Sequence, residues 1–196
     1  MKLYAGIGAR VTPPSILEKM SNIAYSLAAD GWVLRSGGSP GADTAFEQGC
    51  DSAVGKKEIY LPWENFNGNK SSLYDVTPQA IKLTTAYYPN PNLLAFKHYI
   101  AKLHGRNAQQ ILGQNLDSPI EFVVCWTSDG CELDEDRTKD TGGTGQAISI
   151  SSCRGIPVFN LANDDAADKL LIHIRINHPS KQKTSYTNCW GGGEKV

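Results

Sequence analysis

Residues 32–50, WVLRSGGSPGADTAFEQGC, constrain the fold more than any other stretch of the chain. Trp32-Val33-Leu34 predicts a short buried strand, Ser36 to Gly41 a tight glycine turn, and Ala42 to Cys50 a helix. A strand that runs through glycines into a helix makes a phosphate cradle, because glycines admit close backbone approach and the first-turn N–H groups and dipole face the anion. The spacing is neither G-x-G-x-x-G nor G-x-x-x-x-G-K-[ST], so neither a dinucleotide fingerprint nor a Walker motif follows. An ordinary strand-to-helix turn has the same appearance. Two further stretches bear on that choice. Tyr4-Ala5-Gly6-Ile7-Gly8-Ala9-Arg10 closes a first apolar strand, and Thr141-Gly142-Gly143-Thr144-Gly145-Gln146-Ala147 follows the apolar run Phe122 to Trp126. In a parallel sheet such turns all emerge at the carboxyl edge, so three glycine loops would line one crevice.

A chain of 196 residues is large enough to bury a core without staples and is expected to form one domain over residues 1–178, with a loosely ordered tail at 179–196. Nineteen basic and 20 acidic residues leave a net charge of −1. That balance gives no footprint for duplex nucleic acid or an anionic membrane. Five cysteines without a C-x-x-C pair predict scattered thiols in a reducing cytosol, not disulfides or a zinc site. Neither a signal peptide nor a bilayer-spanning run is read in the sequence, and a cytoplasmic protein is expected.

In chain order, a strand from Lys2 to Gly6 precedes a helix started by Thr12-Pro13-Pro14, whose apolar positions Ile16, Met20, Ile23 and Leu27 recur at helical spacing until Gly31. Strand two, its glycine loop and helix two lead to strand three, Lys57 to Pro62. This βαβαβ half predicts an α/β fold, Rossmann-like, with a doubly wound, mostly parallel five-stranded sheet and helices on both faces. Residues 63–76 are polar and turn-rich with interspersed Trp63, Phe66 and Tyr74, which fits a binding loop or lid as well as a loop tacked down by its aromatics. Helices from Thr77 to about Tyr88 and from Leu93 to Leu112 follow, separated by Pro89 and Pro91. Strand four runs from Ile120 to Trp126, and a helix from Gly143 to Arg154 leads to strand five, Ile156 to Leu161. A last amphipathic helix spans Asp164 to about Ile174. Between strand four and its helix lies SDGCELDEDRTKDT, read as a flexible, solvated acidic insert because calcium-loop spacing is missing.

The ordered set Gly6-Ile7-Gly8-Ala9-Arg10, Arg35-Ser36-Gly37-Gly38 with Gly41-Ala42-Asp43, and Gly142-Gly143-Thr144-Gly145 resembles the SLOG superfamily over about residues 2–162. The nearest likeness is to the DNA-processing protein A (Smf) branch, with partial likeness to the LOG phosphoribohydrolases. Against the LOG pattern, Leu103-His104-Gly105-Arg106-Asn107 keeps the catalytic arginine, while Ser149 stands where the glutamate of P-G-G-x-G-T-x-x-E would be. A serine does not replace a carboxylate that stabilises an oxocarbenium-like transition state. The resemblance thus implies a phosphate cradle without that chemistry, and a homo-oligomer.

The candidate ligand and phosphate contacts are Gly8, Arg10, Ser36, Gly37, Gly38, Gly41, Asp43, Arg106, Asn107, Trp126, Thr127, Gly142, Gly143, Thr144 and Gly145. Arginine forks suit phosphate oxygens, and Trp126 at the end of strand four is placed either to stack on a base or to fill the core. Asp43 and Glu47, one turn apart, are the candidate catalytic carboxylates, with helix capping, a ribose contact or plain solvation as alternatives. No metal and no cofactor are expected. The leading expectation is a binder of a nucleotide or an ADP-ribose-like signal. A nucleoside 5′-phosphate N-glycosidase and a single-stranded DNA-binding mediator are the other readings. The lack of a basic excess or an added interaction domain speaks against the last.

Overall fold

The computed structural model describes residues 1–87 and 98–179. Five strands, β1 (Leu3–Gly6), β2 (Val33–Ser36), β3 (Lys57–Ile59), β4 (Phe122–Cys125) and β5 (Val158–Asn160), form one sheet in the order β3-β2-β1-β4-β5. All four pairings are parallel, with Tyr4 opposite both Leu34 and Phe122. The chain winds outward from β1 to β3, then restarts on the other side of β1 with β4. Strand order therefore reverses between β1 and β4, the place where open α/β sheets part to leave a crevice.

Six helices cover the two faces among the described residues: α1 (Pro14–Ala29), α2 (Ala42–Ser52), α3 (Pro78–Thr85), α4 (His98–Leu112), α5 (Thr144–Ser152) and α6 (Ala166–Asn177). Strand alternation sorts the core between those faces. Tyr4, Leu34, Phe122, Val124 and Phe159 turn toward α1, α2 and α6, whereas Leu3, Ala5, Val33, Val123 and Val158 turn toward α3, α4 and α5. On the first face Tyr4 stacks on Phe122 with centroids 5.7 Å apart, and Trp32 meets the same ring edge-on at 4.8 Å. Trp32, predicted to begin β2, is instead a buried residue just ahead of it, its Nε1–H donating to Asp30 Oδ2 at 3.2 Å.

The glycines of this face exist for packing. A Cβ at Gly6 would stand 2.5 Å from the Phe46 ring, and one at Gly49 would stand 2.0 Å from the Ser21 carbonyl oxygen. Gly49 is what lets α2 lie against the backbone of α1.

The polar stretch after β3 is tacked to the sheet edge. Phe66 is buried with Ile59 and Leu61, Ser71 Oγ donates to the Ile59 carbonyl at 2.6 Å, and Leu61 N–H donates to the Leu73 carbonyl at 2.7 Å. Asn65 and Asn67 take left-handed conformations at φ 58° and 52°, where a short amide side chain is tolerated.

Residues 128–141, expected to be flexible and solvated, are instead pinned at several points. Asp129 accepts from Thr138 Oγ1 at 2.6 Å and Thr141 Oγ1 at 2.5 Å. Glu132 accepts the Asn160 N–H at 2.9 Å, and the buried Asn160 amide donates to Thr127 Oγ1 at 2.6 Å and the Cys131 carbonyl at 2.9 Å. Burial alone would raise the Asp129 carboxyl, but the hydroxyl and N–H donors around it outweigh that and bring it from 3.8 to about 2. The sign follows: the folded carboxyl binds its proton less readily than the unfolded one, so its stabilisation is full above pH 3.8 and is lost as pH falls through about 2. Asp129→Asn is therefore expected to be less stable than the parent at neutral pH, with the gap closing in that acid window. Urea titrations at stepped pH check this; a gap independent of pH would refute it.

No helix among the described residues is long and apolar enough to cross a membrane. The predicted tail from residue 180 onward, Pro89, Pro91 and the expected start of the fourth helix at Leu93 lie outside the described residues.

Candidate functional site

The loops leaving β1, β2 and β4 meet α4 around a cleft of about 410 Å³. Its walls are Gly8 to Val11 after β1, Ser39 and Asp43 after β2, the 103–110 segment of α4, and Asp140 to Thr144 leading into the first residue of α5. Backbone bonds set the first two walls: Ile7 N–H donates to the Val124 carbonyl at 3.1 Å and Ala9 N–H to the Trp126 carbonyl at 3.2 Å, prolonging β1 beside β4. The β2 loop then packs onto the β1 loop, since a Cβ at Gly41 (φ +84°) would lie 2.4 Å from the Arg10 carbonyl oxygen. A Cβ at Gly8 would meet that of Ala42 at 2.8 Å.

Arg106 is the centre of the cleft's electrostatics. It is 6% exposed, pairs with Asp43 Oδ2 through Nη1 at 3.4 Å, and reaches Ser39 Oγ through Nη2 at 3.4 Å. Its guanidinium fits because Gly37 has no side chain: a Cβ there would fall 1.4 Å from Nη1. Burial pushes the Asp43 carboxyl up, against the lowering influence of Arg106 and Ser39, and pushes Arg106 down against the raising influence of Asp43. Both shifts record how poorly this pair is solvated. Arg10, on the facing loop, lowers Arg106 further and has no ion pair or side-chain hydrogen bond of its own among the described residues.

The α4 and α5 walls are joined by Gln146, whose Oε1 lies 2.5 Å from His104 Nδ1 and accepts from Asn107 Nδ2 at 3.3 Å. Burial lowers the His104 pKa, partly offset by Gln146. The turn at Gly142 (φ +60°) and Gly143 is open, with nothing within 4 Å of a Cβ at either position. At this cleft only these two glycines leave room on the side where a side chain would project.

Of the predicted contacts, Gly8, Arg10, Asp43, Arg106, Asn107, Gly142, Gly143 and Thr144 line the cleft. The others lie elsewhere. Ser36 Oγ donates to the Gly6 carbonyl at 2.7 Å, tying β2 to β1. Gly37 and Gly41 face protein atoms as described, and a Cβ at Gly145 would meet Arg137 Nε at 2.8 Å. Gly38 opens onto a separate groove beside α2, where Leu61 would contact a Cβ at 2.8 Å. Trp126 packs against the core on the α1/α2 face, and Thr127 is buried with its N–H donated to Asn160 Oδ1 at 3.2 Å. Glu47 also sits in the α2 groove, bound by Lys57 Nζ at 3.3 Å and Asn69 Nδ2 at 3.1 Å, so it and Asp43 do not share a site.

Ser149, in the position that a glutamate holds in the LOG pattern, is engaged from three sides. It receives a hydrogen bond from Arg137 Nη1 at 2.7 Å and contacts Asp134 Oδ1 and the Gly145 carbonyl. It does not line the cleft. Ser39, Gln110 and Asp140 do line it and were not among the predicted contacts. Ser39 was legible as part of the glycine turn, and Gln110 as one helical turn beyond Arg106. Nothing in the sequence separates Asp140 from the acids before it.

No protein-family model matches this chain, and no curated protein does. Among solved structures it is similar to the molybdenum cofactor carrier protein of Chlamydomonas reinhardtii, at 17% identity and a TM-score of 0.40, over 88% of this chain and 99% of that one. Among the described residues there is no group of three or more acidic, histidine or cysteine side chains placed to hold a metal ion.

Proposed function

We propose that the cleft binds a nucleotide or nucleotide-derived ligand, a nucleoside phosphate or an ADP-ribose-like signal, and that the protein senses or sequesters it as a SLOG-type module. The observation that carries this reading is the convergence of Arg10, Arg106 and the open Gly142-Gly143 turn on one cleft at the reversal of strand order. Guanidinium groups and a helix N-terminus both favour phosphate oxygens, and the lack of side chains at the turn leaves room for close approach. Binding without turnover is supported by the two carboxylates the sequence singled out and by Ser149, and leaves Asp140 as the acid on the cleft wall that the test below must address. Glu47 is outside the cleft, Ser149 is fully engaged, and Asp43 is paired with Arg106. The resemblance to SLOG proteins adds a homo-oligomer to this reading.

The test incubates purified protein with nucleoside monophosphates and ADP-ribose and recovers the ligand after heat denaturation. Intact ligand is expected, with binding lost in Gly143→Val, whose added side chain occupies the open turn while the fold survives. Release of free base, suppressed by Asp43→Asn or Asp140→Asn, would make the protein an N-glycosidase instead.

A further inference from the structure

The contact that holds Arg106 is loose. Guanidinium–carboxylate bonds ordinarily close to about 2.7–2.9 Å and are often bidentate. Here the Asp43 contact is a single one at 3.4 Å, made by an oxygen that also accepts the Ser39 N–H at 3.1 Å. The Ser39 hydroxyl is equally distant at 3.4 Å, and Arg106 Nε has no hydrogen-bond partner among the described residues despite its burial. Gln110 Nε2, on the next turn of the same helix, is buried and unpartnered as well. A buried group with five N–H donors thus makes two long hydrogen bonds, with the Phe66 ring centre 6.0 Å from its Cζ, in a cleft where the charge of Arg10 presses on it from the facing loop.

We propose that Asp43 is an internal stand-in for the ligand's anionic group: on binding, Arg106 exchanges the single Asp43 oxygen for the oxygens of a phosphate-type anion. This rests on the reading of the cleft as a nucleotide site and adds to it a residue that sets affinity by competing. A tetrahedral oxyanion offers the guanidinium fork two acceptors where Asp43 Oδ2 offers one. Asp43 is then not a ligand contact; it keeps the empty cleft neutral and raises the threshold for occupancy.

The consequence is opposite to that of a scaffold. Asp43→Asn keeps the shape and an acceptor for the Ser39 N–H, but leaves the buried Arg106 charge uncompensated until an anion arrives. The variant should melt at a lower temperature when empty, yet bind ADP-ribose roughly tenfold or more tightly than the parent, because its ligand no longer displaces a charged competitor. Sulfate, a tetrahedral anion that does not titrate near neutrality, should gain in the same direction. Isothermal titration of both proteins with both anions reads this. Parent binding with equal or weaker binding by Asp43→Asn would overturn the exchange and leave the nucleotide reading standing. Absence of binding by both proteins would overturn both. Should Asp43→Asn not fold, a crystal structure of the parent with ADP-ribose decides: the Arg106–Asp43 contact must open beyond hydrogen-bonding distance with the guanidinium turned to the diphosphate, and a contact retained in the complex refutes the exchange.

Discussion

Gly49→Val is expected to be strongly destabilising. A Cβ at this position would lie 2.0 Å from the Ser21 carbonyl oxygen, 2.8 Å from its carbonyl carbon and 2.9 Å from the Ala24 Cβ. The obstruction is mostly helix backbone, so no rotamer change relieves it; α1 and α2 must separate. Both helices pack on the Tyr4, Leu34 and Phe46 side of the sheet, and their separation opens that core. Overpacking typically costs about 1–3 kcal/mol where side chains yield, and a backbone collision places this substitution at or above the upper end. Because α2 also carries Asp43, the cleft is lost with the packing. Chemical denaturation of Gly49→Ala and Gly49→Val checks the claim: both should be destabilised, valine more. An alanine variant as stable as the parent would mean that the helices slide apart freely.

The second large effect falls on binding. Arg106→Lys retains the charge and loses the planar fork, and the long side chain it substitutes cannot reproduce contacts made through two nitrogens. Affinity for ADP-ribose should fall by about 1.5–3 kcal/mol, roughly 10- to 150-fold, the range for charge-assisted hydrogen bonds. Gly37→Ala should match that loss without touching a charge, because its methyl group would occupy the space of Arg106 Nη1. Titration calorimetry on the two variants, with thermal melts to confirm folding, makes the check. Unchanged affinity in Arg106→Lys would remove the arginine from the site, and normal binding by Gly37→Ala would show that the guanidinium does not need its notch.

Most of the sheet was legible because β1, β4, β5 and the first half of β2 are short apolar runs ended by glycine or polar turns, whereas β3, Lys57-Glu58-Ile59, is marked by Ile59 and the Tyr60-Leu61-Pro62 that follows it; four of the helices begin close to a proline, threonine or glycine that the sequence displays. Register, strand order and the assignment of Tyr4 and Leu3 to opposite faces came only with the structure. The loops taught something narrower. A glycine next to a ligand and a glycine next to a protein atom look identical in sequence, so Gly8, Gly37, Gly38 and Gly41 were grouped with Gly142 and Gly143, although the first four answer to Ala42, Arg106, Leu61 and the Arg10 carbonyl. Likewise Glu47 shares a helix face with Asp43 by spacing, but the Lys57 ammonium and the Asn69 amide draw it into the neighbouring groove. Those partners lie 10 and 22 residues away, beyond any local pattern. The acidic insert misled for the same reason: the Asn160 side chain that pins it is 29 residues downstream of Cys131.

That pinning bears on how fast and how tightly a ligand is captured. The Gly142-Gly143 turn is anchored upstream by Thr138 and Thr141 on Asp129 and, through Thr127 and Cys131, to the end of β5. A turn built by free glycines would surrender its backbone entropy at the moment of capture. Here that ordering is completed during folding, so the association step has little left to organise on this wall of the cleft. Capture at this wall is then governed by encounter and by the field of Arg10, the charge of Arg106 being offset by Asp43 until the ligand arrives, and salt, more than temperature, is the variable to which the on-rate should respond.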